Sequence, residues 1–421
     1  MTRFRAAVVA VALLWPATIA RADDVVLKWN EIAVKTLIQQ GQSPFAQARF
    51  AAIVQLAVFE AVNAITRDYE PYIGIAAPAG ASLDAAAATA AYKVLKSYFP
   101  AAADIDQAYI NSLAAIPNGV AKTSGINTGD AAAIAMITSR QGDGSSPPQI
   151  SPVGLPEPGV WQVTLPPGCP AGQNGGSFYQ WQNVKPFGVP DVVAFRPGPP
   201  PSLTSSEFTK DYNEVKRVGS ANSTERPVDR SNVARFYQAS SPTLVFNMAL
   251  RQVATAEHRS LSDNARALAL LNMATSDSLV ASFSTKYHYN FWRPENAIRY
   301  LGDYGNPKTP PDPAYVPFIT TPCFPSYPSN HASGSNGAAE ILRRVYGEGG
   351  HTIKLTNPFN PAVANLEFDY STFNEVCDDV DDARVFGGIH YRFDQVAGNR
   401  LGREIATYVY RHNLRKANGP E

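Results

Sequence analysis

Six side chains in the second half of the chain, Lys286, Arg293, Ser329, His331, Arg384 and His390, have the types and spacing needed to hold a tetrahedral oxyanion and move a proton beside it. They fall in three clusters. In the first, Lys286 to Pro294, the two cations stand seven positions apart, about two helical turns, which predicts one shared face. Pro294 disfavours helix at Arg293, so the element is expected to end there with the guanidinium at a terminus. Taken alone the pair reads equally as solvated surface, the usual place for charge. In the second, the stiff segment Phe324-Pro325-Ser326-Tyr327-Pro328-Ser329 runs into an Ala-rich helix predicted over 330–346 and closed by Gly347. Ser329 takes the N-cap position, so the free amides and positive dipole end of the first turn face whatever lies before it, an arrangement suited to an anion. His331, in that first turn, is placed to donate or accept a proton; an ordinary cap with a surface histidine is the plainer alternative. In the third, Arg384 precedes the pair Gly387-Gly388, which permits close backbone approach. His390 follows, with Asp394 four positions on. If that stretch is helical, the carboxylate would hold one ring nitrogen and leave the other as nucleophile or metal ligand. A packing glycine pair with a satisfied histidine is the alternative here.

The conjunction is more specific than any member. In chain order it reads Lys-x6-Arg-Pro, Pro-Ser-Asn-His and Arg-x5-His-x3-Asp, and over roughly residues 245–410 this resembles the vanadium-dependent haloperoxidase family of the PAP2 (acid phosphatase) superfamily. The resemblance implies that Lys286, Arg293, Ser329, Arg384 and the amide of Asn330 hold the oxygens of vanadate, or of phosphate in the same site. It also implies His331 as acid–base, His390 as the vanadium ligand or nucleophile, and Asp394 as its partner. The long insertions, the two-bundle organisation and the Gly-Gly-Ile-His-Tyr-Arg-Phe-Asp wording resemble the haloperoxidase branch more than compact phosphatases. Two positions depart from the family pattern. Asn330 stands where Gly is usual, which narrows the pocket or adds a donor, and Ala383 stands where Ser is usual, which removes a hydrogen bond to the oxyanion. Phe324, seven residues before His331, borders the halide region in the family, where Phe is more like chloroperoxidases than bromoperoxidases; core packing is its plainer role.

Three functions compete. The resemblance implies first a haloperoxidase that oxidises halide with hydrogen peroxide at a His-ligated vanadate, with Lys286 withdrawing electron density from the bound peroxide and a small organic acceptor as a further possible partner. The same residues would serve a phosphatase acting through a phosphohistidine. A non-catalytic oxyanion-binding protein is the third, with Asn330 and Ala383 as its support.

The elements that must position these residues are mainly helical. The expected fold is all-α: two helical bundles of the haloperoxidase type, over 23–140 and 205–421, joined by a Pro/Gly-rich irregular connection over 141–204. The first bundle shows apolar helical spacing, as in 50–61, with further stretches near 84–98, 102–115 and 127–140, and carries no clear chemistry. Of the 34 prolines, 14 fall between Gln141 and Pro201, which excludes helix there. Helical spacing resumes near 206–217, 242–257, 262–283, 330–346 and 394–411.

Lys plus Arg equals Asp plus Glu at 36 each, so no overall field gathers nucleic acid, and any anion site is local. Residues 1–22 read as a cleavable signal peptide, with Arg3 and Arg5, an apolar run from Ala6 to Leu14, and Ala20-Arg21-Ala22. That predicts a secreted or periplasmic product. No later segment reads as a membrane span. Cys169, Cys323 and Cys377 allow one disulfide and leave a thiol over.

Overall fold

Residues 24–164 and 166–417 of the chain are described by a computed structural model; the leader expected over 1–22 lies outside them. The first five helices pack on one another: α1 (Val25–Gln39), α2 (Pro44–Thr66), α3 (Leu83–Tyr98), α4 (Asp104–Ala114) and α5 (Val120–Ser139). Local chemistry starts them. Asp24 accepts from the amide of Val26 at 2.8 Å, and Ser43 caps α2 with Pro44 in the first turn, where its missing N–H costs nothing. Glycines let α5 lie against α3: a Cβ on Gly129 would sit 2.4 Å from the carbonyl oxygen of Ala86.

One sequence reading needs correcting. α2 is long and apolar enough to cross a membrane by length and composition. Its apolar character has a different cause, because it is buried on nearly every side, against α1, α3 and α5 and against the later helix over Leu261–Tyr289.

The connection over 141–204 stays irregular apart from two short 3-10 turns, Tyr179–Asn183 and Val192–Phe195. It is nonetheless packed. Asp277 accepts from the amides of Phe187 (2.7 Å), Gly188 (2.7 Å) and Val189 (3.1 Å). The Arg140 guanidinium lies 3.9 Å above the Phe187 ring. A disulfide joins Cys169 to Cys323, which leaves Cys377 as a buried free thiol.

Eight further helices follow: α6 (Ser206–Gly219), α7 (Val228–Ala239), α8 (Pro242–Ala256), α9 (Leu261–Tyr289), α10 (Pro294–Arg299), α11 (Asn330–Tyr346), α12 (Phe373–Phe386) and α13 (Arg392–His412). α9 is the axis of the molecule, almost wholly buried and packed on α2, α11 and α13. Ser260 caps its start, and Asn290, at φ +46°, ends it by donating to the carbonyl of Lys286. Small residues bring the site-bearing helices close. A Cβ on Gly402 of α13 would lie 2.2 Å from the Ser333 carbonyl oxygen of α11, and one on Gly337 of α11 would lie 2.4 Å from Ser278 Oγ of α9.

The all-helical expectation misses one element. Strands β1 (Gly349–Thr356) and β2 (Glu367–Thr372) pair antiparallel, and the loop between them, with Asn357, Phe359 and Asn360, reaches back toward His331.

Candidate functional site

Each cluster is delivered by a helix end. Lys286 lies in the last turn of α9, fully buried. Arg293 is not on that helix: the left-handed turn at Asn290 ends α9, and Arg293 becomes the N-cap of α10 with extended backbone. The shared-face expectation is therefore corrected. The two cations converge because the chain turns between them, not because of helical phase.

Ser329 caps α11, accepting from the amide of Ala332 at 3.4 Å, and its own amide donates to the carbonyl of Asp394 at 2.9 Å. Among the described residues, the backbone N–H groups of Asn330 and His331 meet no acceptor, as expected of a first turn. Arg384 lies in the last turn of α12, buried, with Nη1 on the carbonyl of Tyr237 at 3.3 Å.

His390 and Asp394 are not paired along a helix either. α12 ends at Phe386, Gly388 turns the chain at φ +82° where a Cβ would strike the Gly219 carbonyl oxygen at 2.2 Å, and α13 starts at Arg392. Asp394 sits in the first turn of α13 and still reaches His390, with Nδ1 to Oδ2 at 2.7 Å. Oδ2 also accepts from Ser326 Oγ at 2.6 Å and from the amide of Tyr391 at 3.2 Å. A carboxylate can only accept, so the proton of neutral His390 is on Nδ1 and Nε2 carries the lone pair. That lone pair accepts from Arg293 Nη1 at 2.9 Å, a bond that a ligand on Nε2 would displace.

The other cation contacts use backbone oxygens. Arg293 Nε donates to the carbonyl of Phe324 (2.8 Å) and Nη1 to that of Ile389 (3.0 Å). Lys286 Nζ donates to the carbonyls of Pro325 (2.9 Å) and Ser326 (2.5 Å). The ring of Phe324 lies 5.4 Å from Lys286 Nζ and 5.0 Å from the Arg293 guanidinium carbon, close enough for a cation–π contribution. Phe324 also packs against Phe45 of α2 and Phe283 of α9.

Three buried cations thus converge with Asp394 as the carboxylate among them, and several donors lack acceptors: Arg293 Nη2, Arg384 Nε and Asn330 Nδ2 are enclosed and unpartnered. The acidities record the imbalance. Burial, then the Arg293 charge, holds Lys286 well below the usual lysine range. Burial lowers Arg293 to about 10, and burial with the Arg293 charge lowers Arg384 to about 9. His390 is held neutral by burial, then by Arg293, Lys286, Arg384 and His331. His331 is held neutral by burial, then by Arg384, a shift that a hydrogen bond to the Tyr237 backbone opposes. Burial raises Asp394 to about 6, against the Ser326 hydrogen bond. A bound oxyanion would fill the unmet donors and oppose all three cation shifts.

His331 is half-buried and opens onto a cavity of about 170 Å³ lined by Pro44, Gln47, Ser241, Leu244, Asn357 and Phe359, among others. Sequence reasoning missed Ser326, Ser282 and the Tyr237 carbonyl. Ser326 lay inside a quoted motif, and its type was the signal available; the other two are visible only in three dimensions.

Residues 266–419 match the family model for the VCPO second helical-bundle domain. Over 199 residues the chain is 28% identical to vanadium chloroperoxidase of Curvularia inaequalis, a match covering 40% of this chain and 32% of that protein. It therefore spans about a third of that relative's length. Among solved structures, a bacterial vanadium-dependent iodoperoxidase superposes with a TM-score of 0.78 at 22% identity, covering 94% of this chain and 98% of that one. An apo-type bacterial vanadium-dependent chloroperoxidase gives 0.70 at 17% identity, covering 88% and 95%. At these identities the two structures speak for the shared helical fold.

Proposed function

Because this chain belongs, through residues 266–419, to the vanadium-dependent haloperoxidase family, we propose that it oxidises halide with hydrogen peroxide at a vanadate held against His390. The observation that carries this reading is the set of unmet donors on Arg293, Arg384 and Asn330, gathered with Lys286 around a neutral imidazole whose Nε2 lone pair faces the Arg293 guanidinium. That donor set fits a small tetrahedral anion carrying more than one negative charge.

Lys286, Arg293, Ser329, Asn330 and Arg384 would hold the oxyanion, and His390 Nε2 would ligate the vanadium. Once bound, vanadate supplies a Lewis-acid centre that activates peroxide toward halide. The chain's own residues do the rest. Asp394 fixes the His390 proton on Nδ1, so that Nε2 remains a ligand. Two of the three Lys286 N–H bonds are anchored on carbonyls, which leaves one to stabilise negative charge on a substrate oxygen. Halide, peroxide and one proton give hypohalous acid and water, so the site needs a group that takes up and returns protons. His331, neutral and open to the cavity, is that group. The Cys169–Cys323 disulfide supports reading the product as exported, since such bonds persist in oxidising compartments.

The test is a paired assay on vanadate-reconstituted protein: peroxide-dependent bromination of a dye beside hydrolysis of a chromogenic phosphate ester. We expect bromination that requires vanadate and is abolished in His390→Ala with its circular dichroism unchanged. Ester hydrolysis without peroxide chemistry would instead make the chain a phosphatase. Tight oxyanion binding with neither rate would make it a binding protein.

A further inference from the structure

Asn330 is the first residue of α11, directly after the Ser329 cap, and its side chain is enclosed. Its Oδ1 accepts from Ser282 Oγ at 2.6 Å, while its Nδ2 has no partner among the described residues. Ser282 lies on α9 one turn before Lys286, so the serine that anchors the carboxamide belongs to the same helix end that delivers a site cation.

Buried amide donors are ordinarily satisfied, and an exception asks for a cause. Gln55, another orphan, sits mid-helix in the apolar core of α2. Asn330 is different in its surroundings, since most of the unmatched groups of the site are also donors: Arg293 Nη2, Arg384 Nε, and the backbone N–H groups of Asn330 and His331, against one unmatched acceptor, Asp394 Oδ1. An excess of donors over acceptors calls for an anion. The Ser282 contact has a second consequence, because a hydroxyl donating to Oδ1 sets which end of the amide is held and leaves the N–H₂ as the free end.

We propose that the Asn330 side-chain carboxamide, oriented by Ser282, is an additional donor to the bound oxyanion. The inference rests on the oxyanion reading of the site given above. Its ligand class is a tetrahedral oxyanion, phosphate or vanadate.

The experiment titrates inorganic phosphate, by calorimetry, into the full chain and into Asn330→Gly, Asn330→Ala and Ser282→Ala, with thermal midpoints recorded without anion. A hydrogen bond to a charged acceptor corresponds to roughly a tenfold to hundredfold change in affinity. Both Asn330 variants are therefore expected to bind at least about tenfold more weakly. Ser282→Ala should lose less, because the amide remains but is no longer anchored. Variants that bind as tightly as the parent, or more tightly because the amide oxygen had faced the anion, overturn the proposal. So does a lowered midpoint with unchanged affinity, which would make Asn330 a structural residue. These results leave the oxyanion site standing; a parent chain that binds no phosphate removes the site and the inference together.

Discussion

Asp394 Oδ2 receives three donors, whereas Oδ1, equally enclosed, receives none. The carboxylate therefore acts through one oxygen, and its task is to hold the His390 proton. Asp394→Asn keeps the shape and one acceptor but removes the charge that fixes the tautomer. Partners of this kind typically carry 10- to 100-fold in metal affinity or activity, so we expect vanadate-dependent bromination to fall by at least about tenfold while circular dichroism stays native; the dye assay on the variant checks this. The cations and imidazoles of the site were legible because their types are rare in apolar surroundings and their spacing matched a known family. Ser326 and Ser282 were not, since serine is common and its role depends on which distant residue meets it. The Tyr237 carbonyl, a partner of Arg384, is a backbone group with no side-chain signature at all.

At the level of helices, the site is set by how closely α9, α11 and α13 approach. Gly402→Ala places a methyl group 2.2 Å from a backbone oxygen and 2.7 Å from the Gly337 nitrogen, atoms that cannot give way without moving α11. Overpacking of this kind costs about 1–3 kcal/mol. A drop of several degrees in thermal midpoint is expected, together with weakened oxyanion binding as the Ser329 end of α11 is displaced; a melt and a phosphate titration read both. Helix starts were legible where Ser caps and prolines mark them, as at 206, 242 and 330. The predicted stretches near 84–98, 206–217 and 330–346 coincide closely with α3, α6 and α11. α7, α10 and α12 were missed, and so was the hairpin of β1 and β2, although Ile353 and Leu355 in one strand and Phe368 and Tyr370 in the other alternate with polar residues; strands of 8 and 6 residues in a mainly helical chain are easily passed over. The wrong helical reading has an identifiable cause. Arg293 was assigned by spacing to the preceding helix, whereas the turn at Asn290 places it at the start of the next; Asp394, read at the start of the 394–411 stretch, does lie in the first turn of α13.

Across the whole molecule, one buried carboxylate is prominent among the groups that tie the irregular connection to the central helix. Asp277 is buried, accepts three amides from residues 187–189, and is raised by burial from 3.8 to about 6, against those hydrogen bonds. A carboxyl with a raised folded-state pKa binds its proton more tightly folded than unfolded. Its titration therefore costs about 3 kcal/mol of stability above pH 6, a cost relieved as the pH falls toward 4. Asp277→Asn, which carries no charge at any pH, should flatten this part of the stability profile between pH 4 and 6; urea melts at several pH values measure it. The crowded positive charge on α9, α10 and α12 has a consequence for handling the protein. A polypeptide that folds around repelling groups is left with a debt that any suitable solute can settle. Melting in a phosphate buffer and in an amine buffer of equal ionic strength should thus give different midpoints, and at a hundred times the dissociation constant the gain is about 2.7 kcal/mol. Inorganic phosphate, the commonest buffer on the bench, would then be both a stabiliser of this chain and a competitor for the vanadate proposed to occupy the same site.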